Sequence, residues 1–146
     1  MLTPNIIKEL CYIAIESMYY LTEYLRLIRT PEDIIDDIVN MSIDDNYNIH
    51  TDIILKFLNT NENIENFCDY IIYNVLQAIN DSFIYYDDGT YTFREFLSET
   101  LYEINVGDET INYIIDYHES NVDVELDFSS LSLNDNIELD IGSLTL

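Results

Sequence analysis

The aspartates and glutamates are the residues of this sequence whose number and spacing suggest a functional site. Four of them open a predicted helix at positions i, i+1, i+4 and i+5, which places them on one helical face: Glu32, Asp33, Asp36 and Asp37. Like charges four residues apart destabilise a helix by about 0.2–0.5 kcal/mol per pair, so this face is not arranged for helix stability. Three more acids follow at short distance: Asp44, Asp45 and Asp52. We interpret the whole set as a candidate surface for a cationic partner, although a solvated helix start would explain Glu32 and Asp33 alone.

A second group of acids alternates with apolar residues near the end of the chain: Asp123, Glu125, Asp127, Glu138 and Asp140. This alternation predicts strands over 122–128 and 137–141, each with one buried and one acidic face. Carboxylates on one strand repeat every ~6.7 Å, whereas DNA advances about 3.4 Å per phosphate on one strand. Two neighbouring strands together would bring the spacing of the carboxylates closer to that of the DNA phosphates. The alternative is a half-exposed sheet whose acids discourage pairing between strand edges.

Motifs for catalysis or metal binding do not stand out. His50 and His118 are isolated in the sequence, and three glycines leave little backbone for a phosphate-binding loop. The segment 88–96 has the glycine and the final glutamate of a calcium-binding EF-hand loop, but Ile84 and Tyr86 occupy the first two ligand positions. A turn followed by a helix cap is the better prediction there. We therefore predict no catalytic residue, no metal site and no cofactor.

The overall charge excludes several kinds of partner. With 5 Lys+Arg against 29 Asp+Glu in 146 residues, the formal charge is −24, whereas small domains carry a magnitude of about 2 to 8. So few bases cannot displace the counterions of nucleic-acid phosphates, and an anionic membrane surface repels such a chain. Hydrophobic residues make up 48% of the sequence, which favours a folded core over a disordered acidic tail. The expected partner is a basic protein that itself binds nucleic acids.

Two cysteines and the start of the chain bear on its location. Cys11 and Cys68 each lie within an apolar helical stripe, which predicts buried free thiols in a reducing compartment. A disulfide or a shared metal ion is the alternative for this pair. The opening residues lack a signal-peptide pattern, and no apolar run is long enough to span a membrane. We expect a protein of the host-cell cytoplasm.

Apolar spacing of three and four residues predicts about five to six helices before residue 120. The first is expected over 3–29, with Thr3 as N-cap and Pro4 at the first helical position. Later stripes lie within 34–41, 53–58, 64–79, 96–104 and 108–118, and a hairpin is considered around a turn at 87–89. The predicted fold is mainly α with a small C-terminal antiparallel β segment, an α+β class. One domain is expected, with an acidic helical bundle over 1–120 and the β segment, 121–146, packed on it.

The stretch from Pro31 through His50 to Ile54 resembles part of the Ocr family of phage anti-restriction proteins. The similar features are an acidic helix start, an aspartate near the helix end, a short polar turn, and a second helix that opens with Asp-Ile. The resemblance implies an acidic, largely helical homodimer that imitates the charge of duplex DNA and occupies the DNA groove of restriction enzymes. It implies that role for the acids of the matching stretch: Glu32, Asp33, Asp36, Asp37, Asp44, Asp45 and Asp52.

Two functions from different classes follow from these observations. The first is a DNA mimic from a phage or mobile element that blocks the nucleic-acid groove of a host defence enzyme, such as a restriction or CRISPR effector. An acidic immunity protein or antitoxin against a basic nuclease belongs to the same physical class. The second is a viral helical-bundle module that takes an amphipathic helix of a host regulator into an apolar groove. Salt separates the two, because ionic binding weakens with salt and apolar binding persists.

Overall fold

The computed structural model of the chain describes residues 2–120. Within that range seven helices cover 77% of the residues, and no strand occurs. The helices are α1 (Pro4–Ser17), α2 (Tyr19–Leu27), α3 (Glu32–Ser42), α4 (Thr51–Leu58), α5 (Asn61–Tyr86), α6 (Phe93–Glu103) and α7 (Asp108–Ser120). The predicted α+β class with five to six helices is therefore wrong for the described chain, which is all-α. The β segment predicted over 121–146 lies outside the described residues.

The helix count was too low because the predicted first helix is two helices. The chain leaves α1 at Met18, whose φ of 61° lies in the left-handed region that residues other than glycine seldom adopt. The Met18 N–H donates to the carbonyls of Ala14 and Ile15, which closes the end of α1. No glycine or proline marks this break, and buried apolar residues continue on both sides of it. Hydrophobic spacing alone therefore does not reveal it.

Helix α5 is the longest helix and contacts α1, α2, α4 and α6, so it forms the centre of the bundle. Its buried residues recur at spacings of three and four, as a core-facing helix requires: Phe67, Cys68, Ile71, Ile72, Val75, Leu76 and Ile79. Cys11 and Cys68 are buried free thiols, as predicted. Burial raises the pKa of Cys11 to about 12, which leaves this thiol unreactive.

The predicted hairpin around 87–89 is wrong, because α5 continues through Tyr86. Phe83 in its last turns packs against Phe93 and Phe96 of α6, with ring centroids 5.5 and 5.4 Å away. These aromatic contacts hold the end of α5 against α6 and leave no strand to pair. The helix cap predicted within 88–96 is confirmed, and it is a capping box: the Thr92 hydroxyl and the Glu95 carboxylate each accept the other residue's backbone N–H.

Helix α7 is fastened to α1 by Glu9. The Gly107 N–H, just before α7, donates to the two carboxylate oxygens of Glu9 at 3.2 and 3.1 Å. The buried hydroxyl of Thr110 also donates to this carboxylate. A Cβ on Gly107 would lie 3.1 Å from Glu9 Oε2, so the close approach favours glycine there. None of the helices within residues 2–120 combines the length and apolar character that crossing a membrane requires.

Candidate functional site

The four acids of α3 lie opposite its buried face. Ile35, Ile38 and Ser42 are buried against the rest of the bundle. At roughly 100° per residue, the acids spread over an arc of about 140° centred away from those three residues. All four are exposed: Glu32, Asp33, Asp36 and Asp37. The first two also lie in the first turn, where the helix dipole favours negative charge. The sequence prediction of one shared face is therefore confirmed.

Glu32 differs from the other three because it is paired within the chain. The Arg26 guanidinium donates to its carboxylate through Nε at 2.9 Å and through the NH2 nitrogen at 3.3 Å. Arg26 also donates to Glu23 at 3.1 Å, so this arginine links the end of α2 to the start of α3. The hydrogen bond from Arg26 lowers the pKa of Glu32. Glu32 is thus partly neutralised, and it offers a partner less charge than sequence reasoning assigned to it.

Asp44 organises the loop between α3 and α4. One carboxylate oxygen accepts the backbone N–H groups of Asn46 and Asn48, both at 2.9 Å. The other lies 3.0 Å from Nε2 of His50. These hydrogen bonds, led by the one from His50, lower the pKa of Asp44 to about 2. Residues 44–48 therefore form a turn, and Asp44 has a structural role in it that the sequence prediction did not assign.

The remaining predicted acids of this region are exposed and have no hydrogen-bonded or ion-paired partner in the part of the chain that the structure describes. We call them the α3–α4 acidic face: Asp33, Asp36, Asp37, Asp45 and Asp52. Helices α3 and α4, which carry four of these acids, pack against each other, and Asp45 lies in the loop between them. On α3 alone, three charges lie within about 6 Å of helix axis. Duplex DNA carries one charge per about 1.7 Å, a similar density.

Apolar side chains border the acidic face. Ile34 and Met41 of α3 are both exposed, and they lie beside the acidic arc. Tyr47, in the following loop, is 85% exposed, and Phe57 on α4 is also exposed. Exposed aromatic and methionine side chains are enriched at protein interfaces, and Tyr47, Phe57 and Met41 are of these types.

The C-terminal members of the predicted site are not placed by the structure. Asp123, Glu125, Asp127, Glu138 and Asp140 all lie outside residues 2–120. Within the described range, no three His, Cys, Asp or Glu side chains come together as a metal site. The described candidate site is therefore the α3–α4 acidic face.

Sequence reasoning missed one perturbed acid. Asp69 on α5 is half-buried; burial, and next the charge of Glu65 one turn earlier, raise its pKa to about 6. Its charge in turn helps to raise the pKa of Tyr113 on α7. The signal was present in the spacing, since Asp69 precedes Ile72 by three residues and Leu76 by seven, and both are buried.

Sequence reasoning also missed an exposed aromatic patch at the end of α5. Ile84, Tyr85, Tyr86 and Tyr102 are each at least two-thirds exposed. Three consecutive large residues on a helix point in directions about 100° apart, so the run Ile84–Tyr86 cannot share one buried face. Both this patch and the acidic face are suited to binding other molecules. Comparison of the chain with protein-family models, with curated proteins and with solved structures found no match.

Proposed function

We propose that this chain is an acidic mimic of duplex DNA that occupies the nucleic-acid groove of a host defence enzyme, such as a restriction or CRISPR effector. The observation that carries the proposal is the α3–α4 acidic face, whose exposed carboxylates have no partner within the described chain. A groove lined by Lys and Arg, built to bind phosphates, is the complementary surface. The resemblance of residues 31–54 to the Ocr family of anti-restriction proteins agrees with this function.

The energetics suit such a complex. A net charge of −24 attracts a basic groove over several ångströms and raises the association rate. Each exposed ion pair contributes about 0.2–1 kcal/mol, so affinity comes from many pairs together. Exposed pairs are screened, with a Debye length of about 10 Å at 0.1 M salt. The complex should therefore weaken as salt rises, as a complex of the same enzyme with DNA does.

The first experiment identifies the partner. The full chain is immobilised and exposed to a host lysate, and bound proteins are released in parallel by a salt step and by excess duplex DNA. A nuclease or other DNA-binding enzyme released by both treatments supports mimicry, because the DNA competes for the same groove. A partner that resists both treatments contradicts it.

The second experiment locates the contact with two variants of equal charge. Asp33→Asn/Asp36→Asn/Asp37→Asn removes three charges from the acidic face, whereas Glu62→Gln/Asp81→Asn/Asp116→Asn removes three exposed charges elsewhere. At about 0.5 kcal/mol per lost pair, the first variant should bind the captured enzyme roughly tenfold more weakly. The second should lose less than about threefold, because only long-range attraction changes. Equal losses would contradict a defined contact on α3.

A groove beside α1 favours the alternative, an interaction module for a partner helix. Its volume is about 860 Å³, and Tyr12, Ile13, Ile104 and Val106 are among its lining residues. Carboxylates also line it, including those of Glu9 and Glu16, so it suits a basic amphipathic helix. In this function the captured partner stays bound at high salt, and duplex DNA does not displace it.

A further inference from the structure

Tyr86, a member of the exposed aromatic patch at the end of α5, lines a second candidate binding site. Between α5, α6 and the turn that joins them lies a cavity of about 260 Å³. Phe83 and Phe96, packed against each other, line it, together with Tyr86 and Tyr91. Tyr86 is 70% exposed and contacts Tyr85 edge-on, with ring centroids 4.7 Å apart. The volume falls below the ~300–1,000 Å³ of small-molecule sites, so it suits a single side chain.

The charges around this cavity are all of one sign. Its lining includes four carboxylates: Asp87, Asp88, Glu99 and Glu103. In Asp87 and Asp88 one oxygen accepts an N–H of the turn, from Gly89 and Thr90 respectively. Glu99 and Glu103 are exposed, and they lie one helical turn apart on α6. Arg94, the one base of α6, is paired with Glu119.

The end of α5 adds to the negative potential. The last carbonyls of a helix lack intrahelical partners and carry the negative end of the helix dipole. Helix α5 has no basic residue in its last turn to offset that potential. A cation beside Tyr86 and Asp87 would therefore meet aromatic faces, carboxylates and a helix C-terminus at once.

We infer that this cavity takes an arginine side chain of a partner protein. A guanidinium is planar, so it can stack on a tyrosine face while it donates two hydrogen bonds to one carboxylate. Lysine offers a compact charge without the planar fork, and therefore binds less well at such a site. The inference goes beyond the proposed function, because it concerns α5 and α6 rather than the α3–α4 acidic face. It stands or falls independently of that proposal.

The test is a titration of the full chain, labelled with ¹⁵N, with three capped tripeptides that differ only in the central residue. Acetyl-Gly-Arg-Gly-amide should shift the amide resonances of residues 86–103. The lysine peptide should bind at least threefold more weakly, and the uncharged, nearly isosteric citrulline peptide should cause no shift. Equal binding by lysine, or shifts spread over the whole chain, would overturn the inference.

Two matched pairs of variants localise the effect. Glu99→Gln/Glu103→Gln should weaken arginine binding about fivefold, whereas Glu62→Gln/Glu65→Gln, which removes two exposed charges at the other end of α5, should weaken it less than twofold. Tyr86→Ser should reduce affinity, whereas Tyr19→Ser, at a tyrosine of α2 that is 64% exposed, should not. Because the altered side chains are exposed, these variants should keep the helical circular dichroism of the wild type. Equal losses in the two charge variants would refute a defined pocket and indicate general attraction to an acidic chain.

Discussion

Replacing Asp69 with asparagine should stabilise this protein at neutral pH. The carboxyl is half-buried on the central helix, and burial together with Glu65 raises its pKa from 3.8 to about 6. At 1.36 kcal/mol per pH unit, this rise corresponds to roughly 3 kcal/mol against the ionised form. Because solvent still reaches the group, we discount that figure by about half and expect a gain of about 1–1.5 kcal/mol. The melting temperature should rise by about 3–5 °C.

The raised pKa of Asp69 also predicts how the stability gain of Asp69→Asn should depend on pH. In the native state Asp69 binds a proton more readily than in the unfolded chain, so its contribution to stability falls as pH rises from about 4 to 6. The advantage of Asp69→Asn should therefore be complete above pH 6 and vanish below about pH 4. Urea unfolding followed by circular dichroism at both pH values measures it. Asp116→Asn removes an exposed charge from α7 as the control, and should change stability by less than about 0.5 kcal/mol. A variant no more stable than wild type at pH 7 would refute the reasoning.

Two other acids should destabilise the fold when they are replaced, because each accepts hydrogen bonds within it. The lowered pKa of Asp44, about 2, means that its contribution to stability is present above its unfolded value of 3.8 and is lost as pH falls towards 2. Asp44→Asn should thus be less stable than wild type at pH 7 in thermal melts and close to it at pH 2, whereas the exposed neighbour variant Asp45→Asn should match wild type at both. Glu9→Ala should lower the free energy of unfolding by about 1–3 kcal/mol, because it leaves the buried Thr110 hydroxyl without its acceptor; unfolding in urea measures this. The control is Glu16→Ala, at an exposed acid two turns later on α1. An equal loss of stability in the control would contradict the reasoning.

The sequence was most informative where one face of a helix is apolar. The stripes of α5 and α7 predicted their helices because burial of every third or fourth residue dominates their stability. The helix caps at Thr3 and within 88–96 were predicted because each cap is a local interaction between residues three apart. The break at Met18 and the extension of α5 through Tyr86 depend on packing against other helices. Spacing within a short window does not carry that information.

The candidate site could be predicted only in part, for a related reason. Helical spacing predicts which acids share a face, and it did so correctly for α3. It does not predict which residues of other elements come close, so it could not show that Arg26 of α2 donates to Glu32 of α3. Nor could it show that His50 contacts Asp44 across the loop. Separating free carboxylates from occupied ones required the tertiary structure.

That separation is the strongest argument for a binding function. Glu9 and Asp44 contribute to the fold through hydrogen bonds, whereas Asp33 and Asp37 repel each other across one helical turn and have no internal partner in the described residues. Solubility does not require this arrangement, because a magnitude of about 2 to 8 charges, dispersed over the surface, is sufficient. Concentrating unpaired carboxylates on one exposed helical face adds like-charge repulsion, which the helix dipole offsets only in the first turn, at Asp33. A basic partner, as we propose above, would supply the missing interaction, since its cations would relieve this repulsion.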